Sequence, residues 1–161
     1  NQGRQAIAVL SRDLRAATPG PGGEPAFVIA EPRRARFYAR LRQSNVPVRI
    51  DLTVTDDGRL IETLTEPTVN TSTGAVSYHP SDEQERYVAS FIFNTEDQPV
   101  ISYFDVDDTG AAESLGATVT GDERGRIDLV RLDIRIARDR AARNVPQPVA
   151  TEVRLPNQRG N

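Results

Sequence analysis

The order of patterns along this chain predicts an α+β fold in which one N-terminal amphipathic helix packs on antiparallel β-sheet. Three observations carry that expectation. Apolar residues first recur at spacings of three and four, at Ile7, Leu10, Leu14 and Ala17. The run Thr18-Pro19-Gly20-Pro21-Gly22-Gly23 then stops any helix, because proline lacks the amide hydrogen and glycine favours other conformations. Beyond it the apolar period changes to two, with turn signals between the runs. A chain of 161 residues is one domain's worth and can bury a core without staples. The expected organisation is a helical part over 1–18, a β-rich head over 26–157 and a polar tail over 158–161.

The helix is expected over Gln2 to Ala17, with Arg4, Arg12, Asp13 and Arg15 off its apolar stripe. In the next segment Ala35, Phe37, Ala39 and Leu41 alternate with Arg34, Arg36, Tyr38, Arg40 and Arg42, the pattern of a half-exposed strand. Val46, Val48, Ile50, Leu52 and Val54 form a second alternating run, and Asp56-Asp57-Gly58 turns it into a partner strand, Arg59 to Thr65. Glu66 to Glu85, rich in Thr, Ser, Pro and acids, reads as a long surface loop with a short edge strand around Ala75-Val76. Tyr87–Phe93 and Pro99–Asp105 read as aromatic strands joined in a hairpin through residues 94–98. An acidic interval, Val106 to Arg126, precedes a strand over Ile127–Ala137, where Ile127, Leu129 and Val130 break the phase of Leu132, Ile134 and Ile136. A bulge or two-sided burial near Val130 would account for the break. Arg138 to Pro148 reads as a charged loop, and Val149, Thr151, Val153 and Leu155 make the last strand.

Composition narrows the chemistry. With no cysteine, the chain has neither a disulfide framework nor a thiol nucleophile, and one histidine excludes a multi-histidine zinc site. All 20 basic residues are arginine, so lysine Schiff-base and Ser-Lys chemistry are excluded too. Phosphate-loop, dinucleotide and nucleophile-elbow motifs do not occur, and no enzyme or obligatory cofactor is expected. The net charge of −3 argues against bulk affinity for nucleic acid and leaves only local basic patches to examine.

Three stretches carry a family resemblance: Arg12-Asp13-Leu14-Arg15-Ala16-Ala17 closing the helix, the hairpin RIDLTVTDDGRLIETLTEP, and Thr151-Glu152-Val153-Arg154-Leu155-Pro156-Asn157 at the end. In that order they resemble minor pilins and pseudopilins of the type IV pilus and type II secretion superfamily, the J-type pseudopilins above all. The resemblance implies a pilin-like fold whose helix 1–18 is the C-terminal part of a longer stem. It also implies anchoring in the membrane by an apolar helix ahead of Asn1, and a head displayed at the cell surface. Such proteins are structural: they assemble with other minor pilins and the major pilin in a tip complex that initiates the fibre. On this reading Ile7, Leu10 and Leu14 are helix-packing residues, facing either the domain's own sheet or neighbouring helices.

Two further clusters are candidates for binding. Arg34, Arg36, Tyr38, Arg40 and Arg42 would share one strand face, extended by Arg33 and by Arg138, Arg140 and Arg143. Guanidiniums with an interleaved ring can hold phosphates and stack on bases, so the rival reading is a secreted or surface binding module, or adhesin, for DNA or an acidic polymer. The plainer reading is a solvated face paired with acids such as Asp51 or Asp133. Asp105, Asp107 and Asp108 ahead of Gly110, with Glu113 beyond, resemble the first half of a calcium loop, although Gly116 stands where the bidentate glutamate belongs. A plain turn competes with that reading. His79 has no metal-ligating companion and is expected to be exposed. The paired acids Asp56-Asp57 and Asp107-Asp108 read as turn residues, and Asn70-Thr71-Ser72 fits a glycosylation pattern.

Overall fold

The structure is a computed structural model and describes residues 2–137 and 147–156. Its helix α1 spans Gln2–Arg15. Nine strands follow: β1 (Phe27–Ala30), β2 (Arg34–Ala39), β3 (Val48–Val54), β4 (Leu60–Val69), β5 (Val76–Ala89), β6 (Ile101–Val106), β7 (Ala112–Ser114), β8 (Leu129–Ile136) and β9 (Gln147–Arg154). A 3-10 helix, Gly121–Arg126, lies between β7 and β8. Five strands form one sheet in the order β1-β2-β3-β4-β5, and four form the other in the order β7-β6-β8-β9; every pairing is antiparallel. The α+β class, the helix and the β3–β4 hairpin agree with the sequence expectation. Among the described residues no helix is long and apolar enough to cross a membrane.

Alternation puts one apolar face of each sheet inward, and the two faces meet in one core. Phe37, Ile50 and Leu52 from the first sheet and Tyr103, Val130, Leu132 and Ile134 from the second are all essentially inaccessible to solvent. Phe27 joins them, its ring 5.4 Å from Phe37 and 5.8 Å, edge-on, from Tyr103. The Tyr103 hydroxyl is satisfied in this apolar setting by donating to the Glu31 carbonyl at 2.9 Å.

Helix α1 packs against β9, β8 and β5. Ala6, Leu10 and Leu14 are buried in the domain's own core, whereas Ile7 is half-buried at the margin. Asp13 corrects the expectation that it lies off the stripe, for its side chain is completely buried. At about 100° per residue, Asp13 stands as close to Leu10 around the helix on one side as Ile7 does on the other. Arg12 holds its Oδ1 at 2.8 Å, while Glu62, buried on β4, accepts from Arg86 of β5 at 2.7 Å.

Three strand expectations are corrected. Residues 66–85 are not a surface loop: most of them belong to the arms of a β4–β5 hairpin, whose tip is tied by Asn70 Oδ1 accepting from the Ser72 and Thr73 amides. The far half of this hairpin projects into solvent and lacks an apolar period, which is why alternation did not reveal it. Pro80 is accommodated where the register slips, with residues 79–82 opposite Glu66 alone, on an edge strand that needs no donor there.

The aromatic runs around Tyr87 and Tyr103 are not a hairpin either, because β5 ends the first sheet and β6 belongs to the second. Between them residues 90–100 cross from sheet to sheet. The crossing is fixed by backbone bonds from Ile92 N–H to the Gly58 carbonyl at 3.0 Å and from Phe93 N–H to the Arg135 carbonyl at 2.8 Å. Gly58 is required here, with φ of +79° and the Ile92 carbonyl only 2.7 Å from where a Cβ would stand. Phe91 adopts a left-handed φ of 59°, a strained choice for an aromatic residue that these flanking bonds impose.

In β8 the pairing runs without interruption, so no bulge explains its pattern. Val130 is in phase with Leu132 and Ile134, and the two-sided burial offered as the alternative is what occurs, with Leu129 buried on the opposite face. The expected loop arginines Arg138, Arg140 and Arg143 lie outside the described residues, as do Asn157 and the tail 158–161.

Replacing Leu10 by alanine removes a fully buried side chain from the contact between helix and sheets. The Leu10→Ala protein is expected to lose about 2–5 kcal/mol in a urea unfolding titration, with the slope unchanged.

Candidate functional site

The arginine-bearing strand β2 leads to a site on the outer face of the first sheet. Register places Arg36 opposite Asp51, Arg34 opposite Thr53 and Tyr38 opposite Arg49. Arg34, Arg36, Arg49, Asp51 and Thr53, with Thr63, Thr65 and Glu83, line a shallow depression of about 190 Å³. Its centre is a carboxylate. Asp51 accepts from Arg34 Nη2 at 2.8 Å, from Arg36 Nε at 2.8 Å and from the Thr53 hydroxyl at 3.0 Å. Burial pushes the Asp51 carboxyl up, but these hydrogen bonds and the Arg34 charge outweigh it and hold the group below the usual carboxylate range.

The stripe read from the sequence is therefore divided. Arg34 and Arg36 remain together, with Asp51 between them. Tyr38 is buried and does not offer a face to a ligand: its ring packs 5.5 Å from Tyr78, and its hydroxyl donates to Glu24 at 3.0 Å. Tyr78 in turn donates to the Pro47 carbonyl at 2.7 Å and supports the Arg49 guanidinium 5.2 Å from its ring centre. Burial, reinforced by the neighbouring Tyr38, pushes the Tyr78 phenol up to about 12. Arg40 follows the last residue of β2 and lines a separate hollow with Arg12, Ala16 and Leu41, while exposed Arg42 pairs with Glu66 at 3.2 Å. Arg49, which strand alternation alone does not add to the cluster, joins it because β3 lies alongside β2.

Arg33 takes another course. Its Nη2 donates to the Thr55 carbonyl at 2.8 Å, on the floor of a groove of about 720 Å³ where the crossing segment meets the β1–β2 turn. Asn94 secures this groove. Its Nδ2 donates to the Gln98 and Asp133 carbonyls at 2.9 and 2.7 Å, and its Oδ1 accepts from the Arg135 amide at 3.0 Å. Glu31, Asp56 and Glu96 line the groove with Pro32, Pro99 and Val100. Nothing local in the sequence marked it, since it arises from the passage between sheets.

The acidic stretch around Asp107 is a hairpin turn between β6 and β7. Asp107 Oδ1 accepts from the Thr109 hydroxyl at 2.6 Å and from the Thr109 and Ala111 amides at 2.8 and 2.9 Å. The Thr109 hydroxyl and the Ala111 amide, with smaller backbone contributions, hold its carboxyl below the usual range. Asp105 is bound by Arg126 at 2.8 Å, Glu113 stands across the ladder from it, and Asp108 sits at the exposed tip. Of the expected calcium-type carboxylates, Asp107 is thus engaged in the turn and Asp105 in an ion pair, and among the described residues no group of three or more His, Asp or Glu side chains converges as a metal site. His79 is exposed, its Nε2 2.9 Å from the Ser77 hydroxyl.

In comparisons with known proteins the chain matches no family model, no curated protein and no solved structure.

The depressed Asp51 carboxyl sets a pH dependence. Because its folded value lies below the unfolded one, its contribution is present above about pH 4 and is lost as the pH falls through the folded value. Asp51→Asn is expected to cost about 1.5–3 kcal/mol at pH 7, the usual worth of hydrogen bonds to a charged group. It should also flatten the fall in stability below about pH 4, as read by denaturation midpoints at a series of pH values.

Proposed function

We propose that this chain is the head of a minor pilin or pseudopilin-like subunit, a structural component rather than an enzyme. In this reading it joins other minor pilins and the major pilin in a tip complex that initiates a type IV pilus or related secretion fibre. The subunit waits in the membrane through an apolar helix and ends at the cell surface in the fibre. The observation that carries the reading is the seating of helix α1. Its buried face is committed to both sheets, and its outward face, with Arg4, Gln5, Ala8 and Arg15, is open to solvent. A first helix held this way can continue a stem and pack against neighbouring helices without disturbing its own core. The rival reading, a binding module for DNA or an acidic polymer, is less well supported, because Asp51 already neutralises part of the Arg34–Arg36 pair and Tyr38 is covered.

The absence of cysteine permits a clean test. Ala8→Cys, introduced into the protein in the cells that make it, places one thiol on the outward face of α1. Cross-linking in sheared surface fibres is expected to yield adducts with pilin-type subunits by mass spectrometry. Recovery of the protein solely as an unlinked monomer in the medium would contradict the reading. A second assay addresses the rival: the fibre reading predicts no retention on immobilised DNA at low salt. Steeply salt-dependent retention, abolished by combining Arg36→Ala with Arg40→Ala, would favour the binding module instead.

A further inference from the structure

Beneath helix α1 lies a pair of acids that the fibre reading does not use. Asp13 comes from the helix and Glu62 from β4; the Asp13 side chain is wholly buried and that of Glu62 is 6% exposed. Each is gripped from outside by one half-exposed arginine, Asp13 by Arg12 of its own helix and Glu62 by Arg86 of β5. Arg12 engages only Oδ1 of Asp13, through Nε at 3.0 Å and Nη2 at 2.8 Å. The other oxygen, Oδ2, is buried with no N–H or O–H directed at it from the described residues. Asp13 also bears on the neighbouring Glu62 carboxyl, and a buried oxygen with no donor, set beside a second acid, favours the protonated form of Asp13.

The surrounding elements leave little else to balance the pair. β8 and β9, which also pack against α1, turn Val130, Leu132, Ile134 and Val153 into the core. Of their own charged residues, Arg131 pairs with Glu152 and Arg135 with Asp133, and Arg154 at the end of β9 is exposed. The charged groups acting on Asp13 are thus Arg12 and Glu62, with Arg86 reaching the pair through Glu62.

We propose that helix α1 is seated by a proton shared between Asp13 and Glu62, so that its docking onto the sheets tightens in acid and loosens as the pH rises toward neutrality. Burial pushes the Asp13 carboxyl up and the hydrogen bond to Glu62 adds to this; Arg12 pulls the other way, and the balance stands at about 7. An undocked Asp13 would titrate near 3.9. The folded value is the higher one, so the stabilisation is complete below about pH 4 and is lost as the pH climbs to about 7. Across that window the opening equilibrium of the helix rises by up to about tenfold per pH unit. The sign is opposite to that of Asp51, which loses its contribution only as the pH falls. This device is independent of the fibre reading and would hold for a monomeric head.

The test uses carboxyl carbon NMR and amide exchange on the intact chain. The Asp13 carboxyl is expected to titrate with a midpoint near 7, whereas a midpoint near 4 overturns the proposal. After correction for intrinsic exchange rates, amides of Leu10 to Leu14 in the wild-type protein should open at least tenfold more at pH 7 than at pH 5. In Asp13→Asn, whose amide donates to Glu62 at every pH, that ratio should fall to about one. A wild-type ratio of one, or the same ratio in the variant, overturns the proposal. Should Asp13→Asn fail to fold, Glu62→Gln serves in its place: with the neighbouring acid gone the Asp13 midpoint should fall below that of the wild type, and an unchanged midpoint overturns the proposal.

Discussion

Two small antiparallel sheets, each apolar on one face only, cannot remain folded apart, and the rest of this structure follows from the need to cover both faces at once. Ring contacts between Phe27, Phe37 and Tyr103 join the sheets at one place, and helix α1 lies against β5 of the first and β8 and β9 of the second. A two-layer core of this kind is the general solution for a domain of this size. It explains why the helix buries a face wide enough to include a carboxylate. It also explains why the chain accepts a strained Phe91 to pass from one sheet to the other.

Covering both faces has an electrostatic consequence. A helix that reaches two sheets brings Asp13 over Glu62, and isolated carboxylates are too costly to bury in a core. The pair is tolerated because Arg12 and Arg86 grip its two ends. On the outer face the balance is reversed. Asp51 is drawn down by arginines on the neighbouring strand, and the same arginines lose much of their attraction for an external anion. One domain thus holds two carboxyls pushed in opposite directions, Asp13 up by burial and by the acid beside it, Asp51 down by its arginine and threonine hydrogen bonds.

Much of the fold was legible along the chain wherever one face is buried and the other wet. The period of three and four at Leu10 and Leu14, the alternation through Ile50 and Leu52, and the Asp57-Gly58 turn are local signals, and they produced the expected elements. The far half of the β4–β5 hairpin is largely exposed, Tyr78 apart, and carries no period. Tyr87 and Tyr103 both announce strands, yet alternation does not say which sheet a strand joins. The site was legible in its residue types and not in its pairing: Arg34 and Arg36 could be placed on one face, but the register that sets Asp51 between them belongs to the neighbouring strand. Asp13 was hidden by its charge, since a pattern of apolar residues passes over a buried acid.

The central claim is that the two sheets and the helix form one cooperative unit. The chain contains no tryptophan, so a single indole introduced on each sheet reports that sheet alone. Tyr87→Trp probes the first sheet and Phe104→Trp the second, each in guanidinium unfolding followed by fluorescence, alongside the helical circular dichroism signal. The account predicts that, within each variant, the indole and helical transitions coincide in midpoint and slope. Loss of one sheet's signal at a denaturant concentration where the helical signal is still intact would contradict it.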